Sequence, residues 1–173
     1  MASCTPIAGN ITLSKLNYQR VLFIIRFCGG IHPSLQLGHR EVFIKMADDA
    51  SRIISTGDID LDHHLNELPA RLKQHLIRAR TKAIELAEAH SLDGEKAGFA
   101  ALCHDIVRLV DTGELYKRAI NYGLEIHPVE ELHRVLLHGP VGAELLREKF
   151  RIHDPDILEA IRWHSTFNRS LGA

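Results

Sequence analysis

The stretch "FAALCHDIVRLV", Phe99–Val110, decides how the chain is read. It is apolar on nearly every side, so a helix that carries it belongs at the centre of a fold. Asp93, just upstream, is a good N-cap, and the spacing predicts a helix over 94–109. His104 and Asp105 stand side by side in the middle of this run. An ionisable pair in a core needs a physical reason.

The neighbouring segments also carry helical periodicity. Leu72, Leu76, Ala79, Ala83 and Leu86 fall at offsets 0, 4, 7, 11 and 14, one face of a long amphipathic helix over 64–90. Asp111–Glu114 opens a helix to Tyr122, which Gly123 ends. Pro128 starts a helix to Leu137, "HGP" breaks it, and Pro140 opens the next, to Phe150. Asp154–Pro155 is an N-cap followed by a proline at the first helical position, for a helix to His164. No stretch alternates with period two. The expected class is all-α, with short connections and antiparallel neighbours.

On those faces certain histidines point inward. His75 shares the apolar stripe of its helix with Leu72 and Ala79. Ile157, Ala160, Ile161 and His164 follow offsets 0, 3, 4 and 7, and His138 ends the apolar run "VLLH". A single such histidine is more often a satisfied core residue than a ligand. Asp105 changes the balance, because a buried carboxylate must be paired, protonated or bound to a cation. Arg108, three residues on, could serve it from the rim. A metal would satisfy Asp105 and use the imidazoles as neutral ligands, and this donor mixture suits iron, manganese, nickel or zinc.

Composition narrows the classes. The chain has 173 residues, 45% hydrophobic and 25% charged, with net charge −1. It has no basic field for nucleic acid or a membrane surface. "VLFII" (Val21–Ile25) is stopped by Arg26 and is too short to span a bilayer. Three scattered cysteines argue against a disulfide framework and fit a reducing cytoplasm. The first 40 residues carry Lys15, Arg20, Arg26 and Arg40 but no acid, which marks a boundary near 40–46. A poorly structured extension over 1–45, or sequence upstream of a start at Met46, is preferred there to a basic targeting segment.

Three local phrases are more specific than the bare His–Asp pair. They are "KAIELAEAHSLDGEKAGFAALCHDIVR", "LLHGPVGAELL" and "ILEAIRWHST". Together with His75 they resemble the HD-domain metal-dependent phosphohydrolases, in the YqeK-like branch of symmetrical dinucleoside-tetraphosphate hydrolases, over residues 71–166. The resemblance implies a helical bundle with a dinuclear divalent centre, often iron. His75, His104 and Asp105 would hold one metal, and Asp105 would bridge to a second held by His138 and His164. A bridging hydroxide would attack phosphorus and cut diadenosine tetraphosphate into two ADP. Asp105 and Arg108 are the implied catalytic residues, and Arg71 and Arg108 the implied phosphate contacts. Arg108 stands where the family pattern HD-x-x-K has lysine, a planar fork in place of a point charge. For Arg162 a solvated surface role is at least as fitting. The implied partner is a nucleotide, the cysteine pattern fits the cytoplasm, and a homodimer is left open.

The sequence departs from the family in one place. The HD family closes its first metal site with a second Asp after the last histidine. After "WHST" this chain reads "FNRSLGA", with no Asp beyond Asp156. The domain, over 46–173, is therefore expected to lack the C-terminal family helix, as a truncated gene, a frameshift or an incomplete chain would produce. It would then hold its first metal less tightly. Two alternatives to a tetraphosphate hydrolase stay open: an HD hydrolase of another nucleotide, such as a nucleoside monophosphate, and a non-catalytic remnant that binds metal or nucleotide. Elsewhere, "DLDHHLNE" (Asp60–Glu67) reads as a solvated helix start, since His63 and His64 face different sides of any helix. His90, His127, His133 and His153 read as surface residues, and Cys103 as a small apolar filler, not a nucleophile.

Overall fold

Pro69 decides the first half of the architecture. Proline has no N–H and pushes the preceding residue out of the helical region. The helix expected over 64–90 is accordingly two: α1 (Ile59–Asn66) and α2 (Ala70–Ala89), with Pro69 at the entrance to α2. The coordinates are a computed structural model in which residues 54–166 are described. The expected extension over 1–45, the boundary near 40–46, Cys4, Cys28 and the terminal departure from the family pattern lie outside the described residues.

α1 is more than a solvated start. Asp58 caps it by accepting from the Leu61 amide at 2.9 Å, and Leu61 and Leu65 are fully buried. Each such leucine contributes about 1.5–3 kcal/mol of burial. His63 faces solvent and meets Glu67 at 3.3 Å, while His64 turns the other way, against the Phe150 ring. The two histidines do diverge, as any helix requires.

α3 (Gly94–Cys103) starts where expected, with Asp93 accepting from the amides of Glu95 and Lys96. It ends six residues earlier than the expected 109. From His104 to Val110 the chain runs in tight turns, with bonds from Ile106 to the Cys103 carbonyl and from Arg108 to that of Asp105. The cause is local. The His104 ring takes the Ala101 carbonyl at 2.7 Å, the acceptor that a continuing helix would give to the Asp105 amide. His104 and Asp105 therefore leave the helix at its C-terminal end instead of lying within it.

α4 (Thr112–Asn121) is capped by Asp111 and closed by Gly123, whose φ of +67° is the left-handed conformation that glycine tolerates. The helix expected over 128–137 is two pieces, α5 (Pro128–Leu132) and a 3₁₀ turn (Arg134–Leu137), separated at His133. "HGP" opens a helix instead of breaking one. α6 (His138–Lys149) begins at His138 and carries Pro140 in its first turn, where amides have no intrahelical partner to lose. α7 (Pro155–Trp163) has Asp154 as cap and Pro155 at its first position.

The described residues form seven α-helices and one 3₁₀ turn, with no strand among them. None of these helices is long and apolar enough to cross a membrane. α2 packs on α3, α3 on α7, and α6 on α7. Lys96 clips the starts of α3 and α7 together through Asp154 at 2.8 Å and Asp156 at 3.2 Å. The core of small and branched side chains ends at a polar patch made of His104, Asp105, His138 and His164.

Candidate metal centre

Three histidines are positioned by one device. His104 follows α3, His138 follows the 3₁₀ turn, and His164 follows α7, each as the C-cap. Carbonyls in the last turn of a helix lack intrahelical partners. Each ring gives its Nδ1–H to such a carbonyl three residues back: His104 to Ala101 at 2.7 Å, His138 to Val135, and His164 to Ile161 at 2.7 Å. A carbonyl can only accept, so Nδ1 carries the proton and Nε2 presents a bare lone pair. Tautomer and ring direction are fixed by the backbone, as metal-binding histidines require. His75 joins from the side of α2.

The bare nitrogens converge on one carboxylate. His138 Nε2 lies 3.0 Å and His164 Nε2 3.6 Å from Asp105 Oδ1. His104 Nε2 lies 3.5 Å and His75 Nε2 3.8 Å from Asp105 Oδ2. The rings also face one another, at 2.9 Å between His138 and His164 and 3.3 Å between His75 and His104. Asp105 Oδ1 is buried with no hydrogen-bond donor of its own, although Arg108 Nε stands 3.9 Å away. Lone pairs directed at lone pairs around an orphaned carboxylate oxygen are an arrangement that could hold a cation.

Electrostatics agree with that reading. Burial pushes the His104 imidazole down to about 4, with the neighbouring Asp105 only partly offsetting it. Burial lowers His164 as well. Burial opposes the charged form of Asp105, and the carboxyl stays well below the usual range only where the neighbouring His138 and His164 turn a proton towards it. A bound cation would take that role when both Nε2 atoms are bare. One proton on His138 Nε2 would serve one contact and leave the others bare. Ions bound at about 2.0–2.2 Å bring their donors to about 3–3.5 Å from each other, close to the 2.9–3.8 Å found here. Two groups of donors satisfy this: His75, His104 and Asp105, and Asp105, His138 and His164. Asp105 belongs to both.

The two ends differ in access. The His75 side chain is 44% exposed, whereas His138 and His164 are 1% and 2% exposed. Arg108 is half-buried beside Asp105. Arg71 is exposed on α2, one turn before His75. Arg162 pairs with Glu144 at 3.7 Å and lies against Trp163. Cys103 is fully buried and its thiol is pushed up by burial, which removes it as a nucleophile. His127, His133 and His153 are exposed and His90 half-buried. Ser165, which no spacing argument singled out, brings its hydroxyl within 3.1 Å of His164 Nε2. A crevice of about 280 Å³ lined by Arg80, Lys96 and Phe99 contains none of the cluster residues, so donor chemistry, not concavity, marks the site.

Comparison with known proteins gives the same direction. The HD domain profile matches residues 72–171. A protein of Halalkalibacterium halodurans named symmetrical bis(5'-nucleosyl)-tetraphosphatase is 38% identical over 93 residues, which are 54% of this chain and 49% of that protein. Proteins of the same name from Staphylococcus aureus and Bacillus subtilis are 32% and 34% identical over 100 and 92 residues, covering 58% and 53% of this chain and 51% and 49% of theirs. The chain thus spans about half the length of the curated relatives it matches. No solved structure matches it.

Proposed function

Because the chain belongs to the HD-domain family, we propose that it is a metal-dependent phosphohydrolase that cuts a dinucleoside tetraphosphate symmetrically, diadenosine tetraphosphate giving two ADP. The observation that carries the proposal is the convergence of backbone-locked Nε2 atoms on the unsatisfied oxygen of Asp105. The names of the relatives support the substrate. The metal is iron by preference, with manganese, nickel or zinc as alternatives for this donor set. When bound, a divalent pair supplies the Lewis acidity and activated water that phosphoryl hydrolysis needs.

The chain's own residues hold and orient. Asp105 anchors both positions, His75 and His104 form the open end, and His138 and His164 form the closed one. Locked tautomers keep the donors aimed without reorganisation. Arg108, 3.9 Å from Asp105, would offer its fork to a phosphate, and Arg71, exposed on α2, would add positive charge. A cytoplasmic location and a homodimer belong to the same reading.

Incubation of the protein with diadenosine tetraphosphate and added Mn²⁺ or Fe²⁺ tests it by product analysis. ADP as sole product is the expected result. AMP with ATP would sink the symmetrical cut, and activity on nucleoside monophosphates alone would replace the substrate. No turnover with ions bound would make the chain a non-catalytic remnant.

A further inference from the structure

We infer that Ser165 supplies a fourth donor, its hydroxyl oxygen, to the ion at the closed end of the cluster. The inference rests on the metal reading and deepens it. Ser165 Oγ lies 3.1 Å from His164 Nε2 and 3.3 Å from His138 Nε2. Those two nitrogens are 2.9 Å apart and lie 3.6 and 3.0 Å from Asp105 Oδ1. Four donors bound tetrahedrally at about 2.0–2.1 Å are separated by about 3.3 Å. These five separations match five edges of that tetrahedron. The Nδ1 protons of both histidines are committed to carbonyls, so each Nε2 faces Oγ with a lone pair.

The consequence is an unequal pair. At the closed end the protein would offer four donors, among them two imidazoles that are 1% and 2% exposed. At the other end His75 is 44% exposed and a position is left for solvent or phosphate. The closed ion would therefore leave more slowly than the open one.

Cobalt loading of the whole chain separates this from a serine that merely hydrogen-bonds a ring. Ser165→Cys should place a thiolate on the ion and add a sulfur-to-cobalt charge-transfer band that wild type lacks. Ser165→Ala should release one ion to chelator about tenfold faster than wild type while the other leaves at an unchanged rate. Ser165→Thr, which keeps the hydroxyl, should restore slow release. If wild type binds two ions, Ser165→Cys binds two without the band, and Ser165→Ala releases them at the wild-type rate, the inference alone is overturned. If wild type takes up no ion, the metal reading falls and the inference falls with it.

Discussion

Asp105 is the residue shared by both groups of donors, and its replacement tests them together. Asp105→Ala is expected to empty both positions, His164→Ala to empty the closed one, and His75→Ala to empty only the open one. Elemental analysis of the purified variants reads this directly. His104 gives a second prediction, for the ion-free protein. Its ring is held at about 4 by burial, below the roughly 6.5 of an exposed histidine. As pH falls the unfolded chain takes up this proton first, so stability is lost from about pH 6.5 down towards 4. The loss is at most about 3 kcal/mol. Urea midpoints of chelator-treated protein should fall over that window, and His104→Gln should flatten the fall. At this scale the inward turn of these side chains was readable because the histidines sit at helical offsets from apolar neighbours. The locked tautomers were not, because they depend on carbonyls that become available only when a helix ends.

The ends of the elements are where sequence and structure part. α3 stops at Cys103 with no glycine or proline to stop it. The imidazole of His104 claims a carbonyl instead, a competition that periodicity does not report. Pro69 and Pro140 show the converse. One proline separates two helices, and the other sits harmlessly in a first turn; the difference lies in whether a helical hydrogen bond is lost. Gly139 supplies the prediction for this scale. A Cβ there would meet the Arg162 carbonyl oxygen at 2.7 Å, so α6 and α7 would have to part. Gly139→Ala should cost about 1–3 kcal/mol and weaken metal binding, because it displaces His138 from His164. Gly123→Ala is the control. Its φ of +67° strains alanine by about 1 kcal/mol, but nothing in the cluster moves, so metal content should stay at the wild-type level. Thermal melts with metal analysis distinguish the two variants.

In the whole molecule the cluster draws donors from α2, the end of α3, the start of α6 and the end of α7. An ion that binds all of them favours the folded state by mass action, by about 2.7 kcal/mol at a hundredfold excess over its dissociation constant. Added Mn²⁺ should therefore raise the melting temperature by about 10 °C, and chelator should reverse it. The all-α class followed from periodicity alone. Which segments meet did not, because helical offsets identify a buried face and not its partner. The three phrases that resemble HD phosphohydrolases supplied that pairing in advance, and the profile match over residues 72–171 supports the family independently. The central claim is a two-ion centre organised by Asp105, and metal content measures it most directly. Protein purified without chelator and loaded with Mn²⁺ or Fe²⁺ is predicted to hold two ions per chain, and Asp105→Ala none; wild type that holds no ion, or an Asp105→Ala variant that keeps both, would contradict the account.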